Sequence, residues 1–120
     1  MGQPDPDELL GRRFEAALSR DDPPELERAV LQVALEAADR EWAETCCTRL
    51  ARHRNANVRG AALLGFGHIA RRFGALDRRR VQRLVEIGLH AHNEIVRERA
   101  ESAADDLETF LAWQLDRPST

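Results

Sequence analysis

The 120-residue chain contains no lysine and no tyrosine, and it has only two cysteines, one methionine and four phenylalanines. Strands favour aromatic and β-branched side chains, and β-branched residues are also few here, so a sheet is not expected. No apolar run approaches the roughly 18 to 20 residues that span a bilayer. The segment Met1 to Glu8 is acidic and proline-bearing, which does not match a signal peptide. Cys46 and Cys47 are adjacent within a helical pattern, where neighbouring side chains diverge by about 100°. Free thiols and a cytoplasmic location are therefore expected. All 18 basic residues are arginine, a usage that reflects GC-rich coding more than nucleic-acid binding. The net charge of −3 likewise argues against a general polyanion binder.

What is present is helical punctuation in a chain whose length suits one domain, expected over residues 1–120 with frayed ends at about 1–5 and 116–120. Asp5-Pro6 predicts a first helix over about 6–19, and Asp22-Pro23 with Glu25 at the reciprocal capping position predicts a second. No glycine or proline interrupts the pattern between Pro24 and Gly60, so a break near Ala38 to Arg40, with Asp39 capping a third helix, is weakly marked. Trp42 on that helix is expected to fill the space between the second and third helices. Asn55 and Asn57 open a fourth helix, and Gly74 with Asp77 supplies the next turn and cap. A turn at His92-Asn93 precedes a long sixth helix.

Two of these helices begin alike. Asn57-Val58-Arg59 and Ile95-Val96-Arg97 lie 38 residues apart, followed in register by Ala62 and Ala100, Ile69 and Leu107, Phe73 and Leu111. A period of that length in a helical chain predicts stacked helical hairpins. Gly60 to Ala70 is almost without polar residues, so the fourth helix must be surrounded and belongs at the centre, with the second, fourth and sixth helices in one layer.

The run Asn55-Ala56-Asn57-Val58-Arg59-Gly60-Ala61-Ala62-Leu63-Leu64-Gly65 resembles the inner helix of a HEAT repeat. The longer segment from Trp42 through Leu111 is similar to small single-domain bacterial HEAT-like proteins. The resemblance implies an all-α fold, a short α-solenoid of about three hairpins and six helices. It further implies that Arg59 and Arg97 bridge neighbouring repeats. Such proteins often serve as immunity proteins in contact-dependent inhibition or other polymorphic toxin systems. A non-catalytic protein-binding module, monomeric when free, is the expectation that follows.

The residues themselves offer one candidate interface. Glu94, Glu98, Glu101, Asp105 and Glu108 recur by threes and fours on the sixth helix, opposite its apolar stripe. Like charges at these spacings repel by a few tenths of a kcal/mol per pair unless nearby arginines, such as Arg97 and Arg99, offset them. A basic partner would reverse the sign. By resemblance that partner would be a toxin domain, since nuclease toxins are commonly basic.

Other constellations carry less. Arg71, Arg72, Arg78, Arg79, Arg80 and Arg83 could grip phosphates, which makes a nucleic-acid-binding solenoid an alternative, and a scaffold or adaptor subunit another. No aromatic residues interleave that cluster for base stacking. The four histidines are scattered, and His90 and His92 point apart on a helix, so neither metal nor cofactor is expected. Asp105-Asp106 could be a catalytic pair, as an aspartate is in HEAT-like DNA glycosylases, but its surroundings are acidic and Trp113 lies beyond it; no catalytic residue is expected.

Overall fold

The computed structural model describes residues 5–119. It is all-α, with six helices and no strand among the described residues: α1 (Glu8–Arg20), α2 (Pro23–Glu36), α3 (Arg40–Leu50), α4 (Ala56–Phe73), α5 (Arg78–Leu89) and α6 (Glu94–Leu111). Among the described residues no helix is long and apolar enough to cross a membrane.

The helices pair in sequence order, α1 on α2, α3 on α4 and α5 on α6, and α4 also packs along both α2 and α6. The central place of α4 follows from its composition. Val58, Ala62, Phe66, Ile69 and Ala70 are fully enclosed, so apolar side chains point in every direction without meeting water. Two glycines let neighbours come close. A β-carbon at Gly65 would lie 2.6 Å from Cys47 Sγ, and one at Gly67 would collide with the Asp106 carboxylate. Those approaches account for glycines that each cost about 1 kcal/mol relative to alanine in a helix interior.

Most caps follow the local sequence. The side chains of Asp22, Asp39, Asn55 and Asn93 accept hydrogen bonds from the first-turn amides of α2, α3, α4 and α6. Gly74 ends α4 in the left-handed conformation. Three details differ from expectation. Helix α1 starts at Glu8 because Asp5 and Pro6 form a preceding turn, with Asp5 accepting from the Asp7 amide at 2.9 Å. Glu25 reaches back to Arg20 at 2.5 Å rather than to the backbone. Trp42 extends toward α1 and lies beside Gly11.

The poorly marked break between α2 and α3 is held from a distance. Asp7 accepts from the amides of Ala38 and Asp39 at 2.8 and 2.9 Å, while Arg72, at the end of α4, donates to the carbonyls of Ala34 and Ala37 at 2.9 and 2.7 Å. These bonds satisfy backbone groups that a helix terminus leaves open.

The same device recurs along the molecule. Glu44 on α3, only 1% exposed, accepts from Arg40 at 2.6 Å and from the Asp77 amide at 2.8 Å, so it fixes the start of α5. Asp77 itself makes no side-chain cap bond. Glu86 on α5 accepts from the Asp116 amide at 2.7 Å. One carboxylate on or just before each odd-numbered helix, Asp7 ahead of α1, Glu44 on α3 and Glu86 on α5, thus anchors the chain 30 to 33 residues later.

The last of these ties changes the expected C-terminus. Residues 1–4 and 120 fall outside the described residues, but Asp116 and Arg117, expected to fray, are bound. Ala112 adopts the left-handed conformation, and the amide of Trp113 donates to the Leu107 carbonyl, closing a helix-ending loop normally built on glycine. Non-glycine residues in that conformation cost on the order of 1 kcal/mol. Burial of Trp113, which is 8% exposed with the Arg78 guanidinium over its ring, offsets this.

Candidate functional site

The five acids of the expected interface lie on α6, on the side opposite its buried stripe. Glu94, Glu98, Glu101 and Asp105 are exposed and Glu108 is half-buried. The buried stripe Val96, Ala100, Ala103, Ala104 and Leu107 faces inward. Ile95, Arg99 and Asp106 border α4, where they meet Gly60 and Gly67. Helical geometry therefore leaves the acidic residues along a free edge.

That edge is not uniform. Arg117 folds back from the C-terminal segment and forms hydrogen-bonded ion pairs with Asp105 at 2.9 Å and Glu108 at 3.0 Å. Sequence spacing alone does not show this, because Arg117 lies beyond the helix and is redirected by the Ala112 turn. Glu94, Glu98 and Glu101 form no salt bridge among the described residues. They span about 10 Å of helix, comparable with the Debye length of about 8 Å at physiological salt, so an incoming cation senses them jointly.

The arginines expected to offset the ridge act elsewhere. Arg97 donates to the carbonyls of Ala91 and His92 at 2.9 and 2.6 Å, and Arg99 covers Gly60. In the earlier copy, Arg59 donates to the carbonyls of His53 and Arg54 at 3.1 and 2.9 Å. Both Val-Arg arginines therefore close the turn just before their own helix. They do not make the bridging that the HEAT resemblance implies; contacts between successive helix pairs are made by Asp7, Arg72 and Glu44.

The arginine cluster separates in space. Arg71 donates to His68 Nδ1 at 2.8 Å, Arg72 caps α2, and Arg78 bonds Gln82 at 2.8 Å while lying over Trp113. Arg79 and Arg83 lie beside Arg78 and Glu86 along α5, and with Arg80 they also join Arg52 and Arg59 around a separate recess. A single phosphate-gripping surface of six arginines is not formed.

The remaining titratable groups have structural surroundings. Burial pushes the Cys46 thiol up to about 12, with the charge of Glu15 adding to the effect, and burial raises Cys47 as well. Neither becomes a thiolate at neutral pH. His53 accepts from the Asn55 amide through Nδ1, which leaves Nε2 to donate to Asp21 at 2.8 Å. That bond, ahead of the Arg54 contact, holds the Asp21 carboxyl below its ordinary range. Burial and then Arg71 keep His68 below the usual imidazole range, with Asp106 opposing. Among the described residues no group of three or more His, Cys, Asp or Glu is placed to hold a metal ion. Comparison with protein-family models, curated proteins and solved structures found no match to this chain.

Proposed function

We propose that this chain is a non-catalytic protein-binding module that docks a basic partner on the exposed edge of α6. The observation that carries this reading is the alignment of Glu94, Glu98 and Glu101 on a free helix edge, with no salt bridge to a cation among the described residues. Repelling carboxylates destabilise an isolated helix slightly and gain most when a cationic surface arrives. Together with the HEAT-like pattern of α4, this supports a bacterial immunity protein that neutralises a cognate toxin domain by steric and electrostatic blockade. Ile95, which is 40% exposed beside Glu94 and Glu98, adds an apolar contact to the edge.

The reading is tested by co-expressing the full chain with the protein encoded by the adjacent gene and measuring complex formation. A stable complex that dissociates with rising salt and is lost in E94K/E98K/E101K supports it. A complex that tolerates the triple reversal contradicts the edge as interface, and absence of a complex contradicts the immunity assignment.

A further inference from the structure

A second surface has the opposite character. The end of α3, the start of α4 and the length of α5 enclose a cleft of about 420 Å³. Its floor is apolar, formed by Leu63, Leu84, Ile87 and Val96. Its rim carries five arginines: Arg52, Arg59, Arg79, Arg80 and Arg83. No acidic residue lines it. Arg52, Arg79, Arg80 and Arg83 take part in none of the chain's side-chain hydrogen bonds or ion pairs among the described residues, and Arg59 uses a single nitrogen on the α3–α4 turn.

The sequence places this rim without announcing it. Arg80, Arg83, Leu84, Ile87 and Ala91 recur by threes and fours on one face of α5 and the turn after it, and α5 runs antiparallel to α4, which brings Arg83 and Ile87 alongside Arg59 and Leu63. Ile87 is 58% exposed, so the cleft retains an uncovered aliphatic side chain among guanidinium groups. Five neighbouring cations repel one another, and the planar forks of arginine match carboxylate and phosphate oxygens. The volume falls within the range of about 300 to 1,000 Å³ typical of small-ligand sites. No aromatic side chain is present on which a base could stack, which disfavours single-stranded nucleic acid.

We infer that this cleft binds a small amphipathic anion, a phosphate or carboxylate head on an aliphatic body. The head is held by Arg79, Arg80 and Arg83 with Arg52 opposite, and the body lies over Leu63, Leu84 and Ile87. The cleft shares no residue with the acidic edge of α6, so the two proposals stand or fall separately.

Decyl phosphate, kept below its micellar concentration, is the probe, titrated into the full chain by calorimetry beside decanol, decyltrimethylammonium and inorganic phosphate. Saturable one-to-one binding of decyl phosphate, at least tenfold tighter than any of the three controls, is expected. R79A/R80A/R83A should weaken it at least tenfold and Ile87→Ser at least threefold. If the triple variant melts early, Arg83→Ala alone should weaken binding at least threefold. Equal binding of the alcohol or the cation overturns the inference, as does affinity that survives the arginine changes. A vesicle arm distinguishes a discrete ligand from a membrane surface: binding to phosphatidylglycerol vesicles with none to monomeric decyl phosphate overturns it, as does saturable binding of an acidic-aliphatic peptide alone.

Discussion

The acidic edge of α6 and the arginine-rimmed cleft beside α5 carry opposite charges on opposite kinds of surface. The edge is convex, its carboxylates are solvated, and the chain neutralises two of its five acids through Arg117. The cleft is concave, has an apolar floor, and has no acid among its lining residues. Exposed charges are screened within about 8 Å, so the edge suits broad, salt-sensitive docking of a protein. The cleft arginines Arg52, Arg79, Arg80 and Arg83 are exposed too, but they surround an apolar recess that can take the body of a ligand out of water. The molecule thereby offers two electrostatic surfaces that share no residue.

The largest expected effect comes from Glu44→Ala. Glu44 holds the start of α5 against α3, and its loss leaves the Asp77 amide and Arg40 without their buried partner. A destabilisation of about 3 kcal/mol is expected in urea unfolding, with the cleft ligand lost before the edge partner. Next comes E94K/E98K/E101K, expected to weaken the protein partner about 100-fold, roughly 2.7 kcal/mol by titration calorimetry. Its unfolding free energy should stay within about 0.5 kcal/mol of the parent, since all three residues are on the surface. Decyl phosphate binding should be unchanged in that variant, as partner binding should be in R79A/R80A/R83A. The smallest effect sharpens the contrast: Arg117→Ala frees Asp105 and Glu108, and partner affinity should rise about threefold at low salt. The lost surface ion pairs should cost less than about 1 kcal/mol of stability.

How much of this was legible in the sequence depended on whether each feature is local. The two Val-Arg doublets, the Asn and Asp caps and the apolar run of α4 are short-range patterns, and they located six helices and their pairing. The α2–α3 break is enforced by Asp7 and Arg72, each more than 30 residues away, so its neighbourhood shows only a weak cap. Glu44 looks like any solvated mid-helix glutamate until α5 closes over it. The acidic residues were visible because one helix carries all five. Their division was not, because Arg117 reaches them only after an alanine turns left-handed. The cleft was hidden for the same reason: its arginines come from two separate segments, one around the α3–α4 turn and one in the first turns of α5.

Amide chemical-shift mapping of the labelled chain against the protein encoded by the adjacent gene tests the central claim most directly. Binding through the free edge predicts shifts concentrated on α6 from Glu94 to Asp105, with Arg83 and Ile87 of the cleft unmoved. Shifts concentrated on Arg52, Arg83 and Ile87, with α6 undisturbed, would contradict it.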